Sequence, residues 1–302
     1  MQIRKVSIIG LGALGVMYAA QMAPSMKKED FRIIADKKRT QRYKEVGFYL
    51  NERLVSFEYS MPQEEFIADL VIVSVKYGAL GEAINAIKND IGENTVILSL
   101  INGISSEEEL RNVFGDKVLY CVAYGMDAKK KGNRISYENM GKLCFGEKSG
   151  VISQRVKAVG QFFERTGVPY EISDAMPYMM WWKYIGNVGI NQTSTMLDMN
   201  YGQLLQSGEA KNMMVGAMRE VIEIGQAEGI RLSAKNIDEW MKVLEGLSKT
   251  GYPSMRQDIK AGRKTEVELF SGTIRRLGKK HGIKTPVNDL LYEKILEIEK
   301  MQ

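Results

Sequence analysis

Ile3-Arg4-Lys5-Val6-Ser7-Ile8-Ile9-Gly10-Leu11-Gly12-Ala13-Leu14-Gly15 is the stretch that decides the fold class. Residues 3–9 read as a strand, and a helix-period pattern starts near Ala13. Gly10–Gly15 therefore forms a G-x-G-x-x-G turn that leaves a strand and opens a helix. In that context the first glycine permits the tight turn. The second lets a pyrophosphate approach bare backbone, and the third lets helix and strand pack closely. The helix N-terminus adds unpaired N–H groups for the anion. Gly10, Leu11, Gly12, Ala13, Leu14 and Gly15 are the expected cofactor-binding turn of a Rossmann-type domain.

The choice between the two nicotinamide dinucleotides is signalled in both directions. Asp36 lies about twenty residues beyond the turn, at the end of the second strand, where an acid accepts hydrogen bonds from ribose hydroxyls and favours NAD(H). Lys37, Lys38 and Arg39 follow at once, and such a run clamps a 2′-phosphate or merely begins a solvated helix. Read from these residues alone, both NADP(H) and NAD(H) stay open.

Outward from the turn, strands are expected at Phe31–Ala35, Leu70–Val75, Thr95–Leu100 and Lys117–Val122. Helices are expected at Arg39–Val46, Ala79–Lys88 and Ser105–Val113. This alternation predicts a parallel sheet wrapped by helices. Arg134–Glu138 and Lys142–Phe145 read as two further strands, an antiparallel extension. The helix Ser153–Thr166 and the strand Pro169–Ile172 close a first domain at residues 1–173. From Ser173 the texture changes: 177–197, 208–228, 235–247, 265–281 and 287–300 carry helix-period apolar positions, with Gly229, Gly251, Gly262 and Gly282 as stops. Residues 174–302 are read as an all-α domain packed on the first and sharing a cleft with it.

The totals exclude several classes. The chain has 302 residues, 44% hydrophobic and 26% charged, with a net charge of +5 scattered among acids. No nucleic-acid stripe is expected, while a mildly basic surface favours an anionic small molecule. Two cysteines, Cys121 and Cys144, make no CxxC pair, and a single histidine, His281, rules out a His-rich metal site. No apolar run reaches the ~18 residues of a membrane span, and no secretory signal is read, so a cytoplasmic protein without membrane or metal partners is expected.

Tyr178–Leu197 is the most informative helix. Met179, Met180, Trp181, Trp182, Ile185, Val188 and Ile190 make most of its circumference apolar, while Lys183, Asn187 and Asn191 stand at i, i+4 and i+8 on one face. A buried ammonium between two amides is costly unless a ligand or partner satisfies it; the plain alternative is a solvent-facing stripe. Ser254 reads as a helix cap, and Glu266 as an exposed first-turn acid. Asn102-Gly103 reads as a turn at the carboxyl end of a strand, where parallel sheets bind ligands. Met213, Met214 and Met218 read as adaptable core rather than a dimer interface.

Taken together, the chain resembles the ketopantoate reductase (2-dehydropantoate 2-reductase) family. The matching residues are Gly10–Gly15, Val75-Lys76, Asn102-Gly103, Trp182-Lys183 with Asn187 and Asn191, Ser254-Met255 with Gln257-Asp258, and Thr265-Glu266. The resemblance implies NAD(P)H-dependent reduction of 2-dehydropantoate to pantoate, with Lys183 as general acid and Glu266 binding the substrate hydroxyl. It further implies that Asn187 and Asn191 orient substrate and lysine, that Ser254 contacts the carboxylate, and that Lys76 and Asn102 line the cofactor side. His281 is then left as a surface residue near a helix end. Members that use NADPH commonly carry an arginine just past the second strand, where this chain has Asp36; with Arg39 or Lys37 as the substitute, NADP(H) is favoured and NAD(H) retained. A reductase of another branched 2-keto acid and a non-catalytic dinucleotide sensor are the competing readings; a homodimer is a weak expectation.

Overall fold

The computed structural model describes residues 1–206 and 208–301. The chain divides into two compact units, Met1–Met179 and Met180 onward. In chain order the first unit contains β1 (Val6–Ile9), α1 (Ala13–Met22), β2 (Phe31–Ile34), α2 (Lys37–Val46), β3 (Phe48–Leu50), β4 (Arg53–Val55), β5 (Tyr59–Ser60) and β6 (Ala68–Val73). Then come α3 (Leu80–Ala86), β7 (Ile91–Ser99), α4 (Ser106–Phe114), β8 (Val118–Met126), β9 (Lys129–Lys131), β10 (Arg134–Ser136), β11 (Met140–Gly146), α5 (Gln154–Thr166) and β12 (Tyr170–Ile172).

The main sheet has the order β12-β11-β8-β7-β6-β1-β2-β5. β5 through β8 run parallel, and β11 turns antiparallel against β8 with β12 parallel to it. β1 and β2 are buried along their whole length, which suits their β-branched and apolar content. Ile8, Ile33, Leu70, Ile72, Val96, Leu98 and Phe145 share one core with Val16 and Met17 of α1 and Phe163 of α5. Each such side chain contributes roughly 1.5–3 kcal/mol on burial. At the amino ends of the strands the Arg32 guanidinium meets the Asp90 carboxylate at 2.7 Å, with Ser7 donating to the same carboxylate. That buried pair holds β1, β2 and the entry to β7 together on the side opposite the glycine turn.

A second sheet, β4-β3-β10-β9, was not expected. Arg134–Ser136 belongs to it rather than to an antiparallel extension of the main sheet; of the two segments so read, only Met140–Gly146 extends the main sheet. Its first hairpin turns at Asn51-Glu52, both with positive φ (45° and 64°), as a two-residue turn requires. One of its two edge strands is Lys129-Lys130-Lys131, with Lys129 and Lys131 exposed.

Among the described residues the second unit has no strand. α6 (Met176–Gly186) leads into it, followed by α7 (Gln192–Leu197), α8 (Tyr201–Gln206), α9 (Gly208–Ala227), α10 (Lys235–Gly246), α11 (Ser254–Lys260), α12 (Thr273–His281) and α13 (Pro286–Lys300). Two π-turns, Asn187–Asn191 and Glu268–Gly272, interrupt what the sequence presents as continuous helices. Tyr184, Met214, Met218, Leu269, Phe270, Leu291 and Ile295 fill the core, so two of the three clustered methionines are core. Gly229, Gly262 and Gly282 take positive φ where helices stop, but Gly251 does not: a side chain there would press on Tyr201. Among the described residues no helix is long and apolar enough to cross a membrane.

Candidate active site

In the first unit the expected cofactor residues collect at the carboxyl ends of four neighbouring strands. Gly10 follows β1, Asp36 follows β2, Lys76 lies just past β6, and Asn102 just past β7. The chain passes from β1 to β2 and β5 on one side, then returns to β6 on the other. The glycine turn and Lys76 therefore flank the topological switch point, where open α/β sheets bind ligands.

The glycines of the turn have different surroundings. A Cβ on Gly10 (φ +98°) would lie 2.4 Å from the Ser74 carbonyl oxygen, and one on Gly15 would lie 2.0 Å from the Gly10 carbonyl oxygen. Both are locked by backbone. A Cβ on Gly12 finds its nearest neighbour at 3.8 Å, so that backbone faces open space. α1 starts there with no side-chain cap and no acid in its first turn. An open backbone cradle at an uncapped helix N-terminus fits the diphosphate of a dinucleotide. The Lys130 ammonium, from the unexpected second sheet, donates to the Leu11 carbonyl at 2.5 Å and brings positive charge to the same turn.

Asp36 has a local duty. It is the N-cap of α2, accepting from the Arg39 amide at 2.7 Å, and its other oxygen lies 3.5 Å from the Arg39 guanidinium. Lys37, Lys38 and Arg39 are exposed around the same helix start.

In the second unit Lys183 is half-buried near the end of α6, and Asn187 and Asn191 are the first and last residues of the first π-turn. An α-helix drifts about 40° for every four-residue step. A turn closed from i to i+5 advances less per residue and turns that drift back. The π-turn thus preserves a single polar face across the three residues. Asn191 is buried, and the buried Nδ2 of Asn187 has no hydrogen-bond partner. The solvent-facing stripe is excluded. Gly189 allows the turn its tight packing: a Cβ there would lie 2.5 Å from Met218 Cγ of α9.

Three other expectations are corrected. Ser254 is the exposed first residue of α11 and caps nothing; Pro253 occupies the cap position. Glu266 is not an exposed first-turn acid: it is 8% exposed and its carbonyl accepts from the Phe270 amide, inside the second π-turn. α11 packs against α7 and the first π-turn, and the two π-turns pack on each other. His281 ends α12 but is half-buried, with Nε2 against the Glu228 carboxylate at 2.5 Å, rather than a plain surface residue. Arg256 is a residue that the sequence reading did not single out. It is buried between Asp198 (2.5 Å) and the face of Tyr252 (3.6 Å), and ties α11 to the end of α7.

Residues 6–150 match the family described as ketopantoate reductase PanE/ApbA, and residues 175–299 match its C-terminal counterpart. The chain belongs to the ketopantoate reductase family. A 2-dehydropantoate 2-reductase of Aquifex aeolicus is 29% identical over 299 residues, covering 96% of this chain and 95% of that one. A PanE/ApbA family ketopantoate reductase from Ralstonia eutropha JMP134 superposes with a TM-score of 0.86 at 26% identity, covering 98% and 99% of the two chains. D-mandelate dehydrogenase, solved with NADH and anilino(oxo)acetate, shares the fold at a TM-score of 0.88 and 24% identity, over 98% and 99%. As a ketopantoate reductase family member the protein is an oxidoreductase that uses a nicotinamide dinucleotide.

Proposed function

We propose that the protein reduces 2-dehydropantoate to pantoate, the step toward pantothenate and coenzyme A, with NADPH as donor. The observation that carries this reading is the Asn187 carboxamide, a buried donor without a partner one turn from half-buried Lys183. Leaving a buried N–H unpaired costs about 1–3 kcal/mol, and a polar substrate relieves that cost.

A bound nicotinamide supplies the hydride to the ketone carbon. Lys183 donates a hydrogen bond from Nζ to the ketone oxygen, its charge offsetting the negative charge that develops there, and then transfers the proton to the alkoxide. Asn187 and Asn191 orient the substrate and the lysine. Glu266 accepts from the substrate hydroxyl, and the Ser254 hydroxyl donates to the carboxylate. Gly10, Leu11, Gly12, Ala13, Leu14 and Gly15 hold the diphosphate, with Lys76 and Asn102 beside the nicotinamide half.

NADPH is preferred in this reading because the Asp36 carboxylate is engaged as the cap of α2. Its charge is offset by Arg39, while Lys37 and Lys38 stand free to meet a 2′-phosphate at a helix start. The test is an absorbance assay with 2-dehydropantoate and either NADPH or NADH. Rapid oxidation of NADPH is expected. Oxidation of NADH alone would move the Asp36 carboxylate to the ribose; oxidation of neither, with cofactor still bound, would defeat the substrate assignment and turn attention to other branched 2-keto acids.

A further inference from the structure

A π-turn is an uncommon, less favourable way to continue a helix, and it persists where its surroundings over-determine it. Among the described residues there are two, in contact with each other, and buried side chains join them. The Tyr184 hydroxyl, adjacent to Lys183 and fully buried, donates to the carbonyls of Leu269 (2.8 Å) and Phe270 (2.7 Å) in the second π-turn. Gln192, also fully buried, bonds to both turns through one carboxamide. Its Nε2 donates to the Val188 carbonyl at 2.9 Å in the first, and its Oε1 accepts from the Ser271 amide at 3.1 Å in the second.

The orientation of that carboxamide is itself fixed. The Glu220 carboxylate only accepts, and it takes Asn288 Nδ2 at 2.7 Å together with the Asn288 and Val287 amides at the start of α13. Asn288 must therefore turn its Oδ1 the other way, toward the Ser271 hydroxyl (2.9 Å) and Gln192 Nε2 (3.4 Å). Gln192 in turn can present only its oxygen to the Ser271 amide. Burial pushes the Glu220 carboxyl above its usual range against the pull of these donors. A network this deep costs stability unless every member is satisfied, and here each link sets the next.

We propose that Tyr184 and Gln192 are positioning residues for the reaction: they brace the two π-turns so that Asn187 and Asn191 on one, and Glu266 at the entry to the other, meet the same substrate. This rests on the roles given above to those three residues and to Lys183. Neither brace touches substrate. Their effect travels through the backbone to which they bond.

The experiment compares Tyr184→Phe, Gln192→Leu, Lys183→Ala and Leu244→Ala, the last a fully buried core truncation in α10. Tyr184→Phe keeps the ring and its packing, so it folds even if Gln192→Leu does not. For each, kcat and KM with 2-dehydropantoate are measured well below the unfolding temperature, and the Kd for NADPH is read by its fluorescence. Tyr184→Phe and Gln192→Leu are expected to lower kcat/KM about tenfold or more, with NADPH Kd unchanged. Leu244→Ala is expected to unfold at lower temperature with near wild-type kcat/KM. Wild-type kcat/KM in Tyr184→Phe, with Lys183→Ala inactive, would overturn the brace and leave the proposed reaction standing. An equal kinetic loss in Leu244→Ala would reduce the effect to general stability and overturn it too. Undiminished turnover in Lys183→Ala would remove the reading on which the brace depends.

Discussion

The Gly10–Gly15 turn offers a ligand little besides peptide N–H groups, whereas the Lys183–Asn191 run offers side chains on a helix whose hydrogen-bond ladder has slipped by one residue. The first is a backbone site. Its shape follows from backbone sterics, because a Cβ at Gly15 would fall 2.0 Å from the Gly10 oxygen and one at Gly10 would fall 2.4 Å from the Ser74 oxygen. The second is a side-chain site whose backbone depends on Tyr184, Gln192, Ser271, Asn288 and Glu220, drawn from across more than a hundred residues of sequence. A backbone site tolerates changes in the side chains around it but not a methyl added at Gly10 or Gly15. A side-chain site tolerates local change but is exposed to events far away in the chain.

That contrast breaks most visibly at Gly15. Gly15→Ala is expected to abolish cofactor binding and to cost about 3 kcal/mol in stability, through overpacking against rigid backbone. Isothermal titration with NADPH and a thermal melt check both, and tight binding by the variant would show that the turn can yield. On the other side, Asn187→Ala is expected to lower kcat/KM for 2-dehydropantoate about 10–100-fold while leaving stability unchanged or slightly raised, because it removes a buried donor without a partner. Lost stability with intact turnover would return Asn187 to the fold. The smallest effect is expected at Asp36. Asp36→Ala removes the α2 cap at a cost of about 1 kcal/mol, and the loss of a negative charge raises the preference for NADPH over NADH. An unchanged preference would show that the Asp36 charge does not bear on the choice between the two cofactors.

Legibility in the sequence follows the same division. The parallel sheet and its glycine turn were readable because β-branched runs and a fixed local spacing carry their own physics. The three-residue strands of the second sheet were not, although Asn51-Glu52 between Phe48-Tyr49-Leu50 and Arg53-Leu54-Val55 was a hairpin signal to be found. Lys130 could not be assigned to the turn without that sheet. The polar stripe was visible at i, i+4 and i+8, yet the π-turns that keep it straight were not, because the slip depends on partners remote in sequence. Glu266 and Ser254 show the limit from both directions: local rules made one exposed and the other a cap, and tertiary packing reversed each.

The charged edge of the smaller sheet has a consequence for how copies of this chain meet. An unpaired strand is a template for a second strand, and one of identical sequence would bring Lys129 and Lys131 against their own counterparts, ammonium facing ammonium. β9 is thus insulated against lengthwise growth into a fibre, and any assembly of this protein with itself must be made on another surface.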